Sequence, residues 1–132
     1  MDKELAVQSL TDTMAKFTAY IGKRLPKDVK SKLIELKTLE TNPLAKSIYD
    51  SMDENQEAAD RLNRPSCQDT GVIQYFVEAG AHFPLLGELQ EILREATEEA
   101  TRTGPLRHNA VETFDEKNTG TNTGTQIPWL DW

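Results

Sequence analysis

A single cysteine, Cys67, stands in the 132 residues. One thiol cannot build an intrachain disulfide framework, so the fold has to rest on packing, and this usage fits a reducing, cytoplasmic setting. No apolar stretch approaches the length of a membrane span. The start, MDKELAVQ, has no basic region followed by an apolar run, and no signal peptide is expected. Basic clusters are also missing. Lys and Arg number 15 against 22 Asp and Glu, for a net charge of −7. Such a chain repels phosphate backbones, which excludes nucleic acid as the expected partner. Two histidines, His82 and His108, lie too far apart to suggest a metal-ligand spacing. There is no Walker lysine and no GxGxxG, so nucleotide binding is not indicated. Aromatic residues are scarce, at 7%, and the apolar fraction is 37%, enough for a lean core.

What is present is periodic. Val7, Leu10, Met14, Phe17 and Ile21 recur at helical spacing and predict an amphipathic helix over 3–22, with Gly22 as its stop. A second helix is expected from LPKD to about residue 40, with Val29, Leu33, Leu36 and Leu39 as its apolar face. Asn42-Pro43 reads as a cap followed by a first-turn proline, opening a third helix lined by Leu44, Ile48, Met52, Ala59 and Leu62. These three helices are expected to pack on one another and on a later sheet.

The texture changes after residue 62. GVIQYFVEAG, residues 71–80, is short, β-branched, aromatic and bracketed by glycines, which predicts a strand. A helix beginning near Pro84 or Leu85 is expected to end at Thr103-Gly104-Pro105. RHNAVETFDEK suggests a short helix with Ala110, Val111 and Phe114 inward. NTGTNTGTQIPWLDW reads as a turn-rich loop leading to an extended segment. Its two tryptophans imply either a tail folded back on the domain or a strand that begins here in a chain continuing past Trp132.

Cys67 sits in NRPSCQDTGVIQ, a polar turn. It is open to two readings, a partly buried free thiol or a presented one. As a nucleophile it would want a nearby His or cation, and Asp69 instead opposes thiolate formation. A metal would deprotonate the thiol outright, so the local chemistry leans to a metal ligand. Asp69 is a common turn residue that becomes an acid/base candidate beside such a ligand. Arg107, after a Gly-Pro break, is either a solvated helix start or a guanidinium fork for a carboxylate. NTGTNTG, residues 118–124, is a structural loop or an anion-binding nest built on left-handed turns.

RPSCQDTG, FPLLGELQ and PLRHNAVETFDEKNTGTNTG followed by PW, in that order, resemble the iron–sulfur hydro-lyases. That family comprises class I fumarases and L(+)-tartrate dehydratases. The likeness covers essentially the whole chain and is nearest to the N-terminal part of a tartrate dehydratase alpha subunit. The resemblance implies a [4Fe–4S] cluster held by three thiolates, one of them Cys67, with an open iron acting as a Lewis acid. It implies substrate contacts at Gln68 and Asp69, with Asp69 the candidate catalytic acid/base group, and a carboxylate grip at Arg107. The substrate would be a small hydroxydicarboxylic acid, L(+)-tartrate going to oxaloacetate, with fumarate or malate as the alternative.

The chain departs from that pattern by lacking the family's two further cysteines. It also lacks the beta part that completes the site. The expectation is therefore an incomplete α+β domain, residues 1–132. A helical layer, 1–62, precedes a motif-bearing part, 63–132, of strand, helix and the start of a mixed sheet. The missing partners are the C-terminal part of the alpha subunit and a beta subunit or domain. Alone, the chain would be inactive and would expose apolar surface. The rival reading is a non-catalytic acidic helical interaction module.

Overall fold

The computed structural model describes residues 2–66, 71–104 and 106–132. Four helices precede or separate two short strands: α1 (Lys3–Ile21), α2 (Lys27–Leu39), α3 (Pro43–Leu62), β1 (Gln74–Phe76), α4 (Leu89–Thr103) and β2 (Trp129–Asp131). The architecture is α+β, as expected. The described sheet is a parallel pair in which Gln74 faces Trp129, Tyr75 faces Leu130 and Phe76 faces Asp131. The expected extended segment in the tail is β2, and it folds back onto β1.

The helix boundaries follow local chemistry. Asp2 caps α1 by accepting the Glu4 N–H, and Gly22 closes it. Asn42 caps α3 by accepting the Leu44 N–H at 2.9 Å, ahead of Pro43 in the first turn. Asn63 ends α3 in the left-handed region, φ 49°. The fourth helix starts at Leu89 rather than near residue 84, because 84–88 form turns.

The core lies between α1 and α4. Ala15 of α1 meets Ala96 and Ala100 of α4, with Met14, Ala19 and Leu106 packed around them. Small side chains let the two helix backbones approach closely. At Gly104 a Cβ would stand 2.7 Å from Ala19 Cβ and 2.5 Å from the Ala100 carbonyl oxygen, so only glycine fits that end of the seam. A second cluster, Tyr75, Leu89 and Leu93, joins the strands to α4 and takes in Leu10, Met14 and Leu130. Burying one large side chain such as Ile92 is worth about 1.5–3 kcal/mol.

The buried face of α1 differs from the expected stripe. Thr11, Ala15 and Thr18 are buried, whereas Phe17 is 52% exposed and Ile21 is half exposed. The reason is the partner surface: alanine-lined α4 leaves no room for Phe17, so the helix turns its small residues inward. On α2 no residue is buried, and on α3 only Ala59 is. Leu39, Leu44, Ile48, Met52 and Leu62 are exposed, so the apolar faces expected on α2 and α3 exist but lie uncovered among the described residues. Lys37 of α2 bridges Asp50 and Asp53 of α3, at 2.7 and 2.8 Å. No described helix is long and apolar enough to cross a membrane.

Candidate functional site

The end of α3, the end of α1 and the loop after α4 converge. Arg24 donates to Asp60 at 2.8 Å and stacks over Tyr20, and Lys23 donates to the Asn63 side chain at 2.8 Å. These bonds tie the α3 terminus to the α1 terminus. The Arg24 guanidinium holds the Asp60 carboxyl below the usual carboxylate range. The chain leaving α3 then reaches Pro65 and buried Ser66.

Ser66 and Gly71 bracket positions 67–70, which lie outside the described residues, so Cys67, Gln68 and Asp69 receive no placement. Both bracketing residues line a cavity of about 170 Å³. Gly22, Ile73, Arg107, Asn109 and Asn122 also line it. Arg107, singled out by its sequence context, thus lines the same cavity as both flanks of the Cys67 segment. His108 is exposed and lines a different cavity, beside Glu98 and Thr121. His82 is exposed in a turn, neither a helix cap nor a core residue.

Residues 107–117 are not the short helix expected. Val111 bridges Asn118 in antiparallel fashion, a turn covers 113–115, and Phe114 is 81% exposed. Of the three residues expected inward, Ala110 alone is buried. Side-chain amides override the apolar spacing. Asn118 donates to the His108 carbonyl at 2.6 Å and accepts the Gly120 N–H at 2.8 Å. Asn122 accepts the Asn109 and Ala110 N–H groups at 2.8 and 3.2 Å and donates to the Arg107 carbonyl at 2.7 Å. Backbone groups satisfied this way have no call for a helical ladder. Of the two readings of NTGTNTG, the described bonds match the structural loop, with Gly120 and Asn122 at φ 73° and 59°.

Asn109 also reaches across the cavity, donating to the Gly71 carbonyl at 3.3 Å. Ser66, Asn109 and Asn122 lie within the motifs quoted above, which assign them no individual role. For Asn122 the signal was present, an asparagine in a repeat that favours left-handed turns. For Ser66 and Asn109 the residue type alone gave no sign of a place on the cavity. Among the described residues no three His, Cys, Asp or Glu side chains are grouped to hold a metal ion.

Residues 11–131 match the family model described as fumarate hydratase (Fumerase). The chain belongs to the fumarate hydratase family. Within that setting it is 56% identical, over 131 residues, to the L(+)-tartrate dehydratase subunit alpha of Escherichia coli strain K12. The match covers 99% of this chain and 43% of that protein. The protein of the same name from Shigella boydii serotype 4 matches to the same extent. The chain therefore spans less than half the length of these fumarate hydratase family relatives.

Proposed function

We propose that this chain is the N-terminal part of the alpha subunit of an iron–sulfur hydro-lyase acting on L(+)-tartrate. The reaction removes a hydroxyl from one carbon and a proton from its neighbour, releasing water. The enol left behind rearranges to oxaloacetate. Identity to the tartrate enzymes over nearly the whole chain supports the reading. The geometric observation that carries it is the shared cavity, which Ser66 and Gly71, the flanks of the Cys67 segment, line together with Arg107. On this reading Arg107 grips a substrate carboxylate in a bidentate fork. Gln68 and Asp69 contact the substrate, and Asp69 exchanges the proton.

A [4Fe–4S] cluster does not fit these residues by themselves. The sequence supplies one thiolate, and the described residues gather no other ligand set. We assign Cys67 one ligand position and the remaining positions to polypeptide outside the 132 residues, in the rest of the alpha subunit. Within these residues, 1–62 form the helical part and 63–132 the part that bears the site motifs. A beta subunit or domain completes the site, and the enzyme works in the cytoplasm. Bound there, the cluster would supply a Lewis-acidic iron.

The test is Cys67→Ser in the assembled enzyme, scored by iron content, visible absorption and tartrate dehydration. Loss of all three is expected. An unsubstituted assembly that carries no iron and dehydrates no tartrate would instead favour the acidic interaction module. The family description favours one second reading, a class I fumarase, which a comparison of kcat/KM for tartrate and malate decides.

A further inference from the structure

We infer that Asn122 is a positioning residue whose side-chain amide sets where Arg107 stands on the cavity wall. The inference rests on the proposed role of Arg107 as the carboxylate grip. Asn122 is 6% exposed, and its amide makes four hydrogen bonds. Oδ1 accepts from the Asn109 and Ala110 N–H groups. Nδ2 donates to Thr101 Oγ1 of α4, at 3.1 Å, and to the Arg107 carbonyl. Reversing the amide would turn its NH₂ onto two N–H donors, so the partners fix its orientation.

The arrangement spans three places at once. Thr101 anchors the amide to the buried face of α4, since its own hydroxyl donates to the Thr97 carbonyl. The same amide then holds the backbone on both sides of His108. Asn109, fixed by it, donates to Gly71 at the far flank of the Cys67 segment. Arg107 is exposed, and its backbone carbonyl is the point at which Asn122 holds it to the rigid α4. A long side chain delivers a planar fork reliably only when the backbone that carries it is held.

The experiment compares variants of the assembled enzyme on L(+)-tartrate. Asn122→Asp keeps the size, tolerates the left-handed backbone and still accepts from Asn109 and Ala110. It replaces the donor to the Arg107 carbonyl with an anionic oxygen. KM is expected to rise about tenfold with kcat within about threefold, the signature of lost ground-state grip. Thr101→Val removes a partner of the same amide without touching Arg107. It should lower thermal stability and raise KM by less than Asn122→Asp does, because the bond to the Arg107 carbonyl stays in place. In an Arg107→Gln background, Asn122→Asp should add nothing further to KM.

An unchanged KM in Asn122→Asp, beside a raised one in Arg107→Gln, overturns the inference alone. So does an equal KM rise in Thr101→Val, or additive effects in the double variant. An unchanged KM in Arg107→Gln sinks the carboxylate grip and the inference with it. Should the aspartate variant fail to assemble, Asn122→Gly accepts the left-handed backbone without the amide and is read by the same criteria.

Discussion

The hydroxyl of Tyr75, on β1, lies 3.1 Å from Thr97 Oγ1, on α4. Thr97 spends its proton on the Leu93 carbonyl, so Tyr75 is the donor in that pair. The tyrosine oxygen in turn accepts from Thr18 of α1, at 2.9 Å. One phenol thus joins the first strand to both core helices. Tyr75→Phe leaves two fully buried threonine hydroxyls short of a partner. It should destabilise the chain by about 1–3 kcal/mol. Denaturant unfolding measures this, and a loss under about 0.5 kcal/mol would show that the bridge contributes little.

Gly104→Ala should destabilise through crowding. The added methyl would press on Ala19 and on the Ala100 carbonyl, both backed by the tightest part of the α1–α4 seam. A cost of about 1–3 kcal/mol is expected, and a neutral or higher Tm would mean that the helices shift apart freely.

The exposed and buried isoleucines should separate cleanly. Ile92 is 1% exposed, whereas Ile48 is 52% exposed on α3. In the 132-residue chain Ile92→Ala should cost about 2–5 kcal/mol and Ile48→Ser within about 0.5 kcal/mol. A large cost for Ile48→Ser would mean that the α3 face is covered in solution. Sedimentation at rising concentration then reveals whether copies of the chain do the covering.

Glu112 gives a pH signature. The Thr125 N–H, 2.8 Å away, is the main cause holding its carboxyl below the usual 4.5, aided by the Thr113 N–H. A carboxyl depressed in the folded state adds stability above its unfolded value. That contribution fades as pH falls through the folded value. An NMR titration should place the Glu112 midpoint under 4.5. Glu112→Gln should flatten this part of the acid limb, and an unshifted midpoint would contradict the bonding.

Helix placement was legible because periodicity and caps are local. Asn42-Pro43 and Gly22 marked their boundaries without reference to the rest of the chain. Which face each helix buries was not legible. Thr11, Ala15 and Thr18 are weak apolar signals, chosen because α4 offers alanines to pack against. The 107–117 segment misled for a related reason. Ala110, Val111 and Phe114 have helical spacing, but Asn118 and Asn122, farther along, engage the backbone first. In the candidate site, Arg107 stood out by its charge after a break. Asn109 and Ser66 matter by spatial convergence, which a linear reading does not carry.

The pairing of β1 with β2 has a consequence for synthesis. By the time a ribosome has added Thr103, the nascent polypeptide holds both sides of the alanine seam. β1 is already translated then, but its mate is not, and Phe76 has no neighbour until Asp131 emerges. The edge of Tyr75 therefore waits until Leu130 is added, and the sheet is the last part of this core that translation permits.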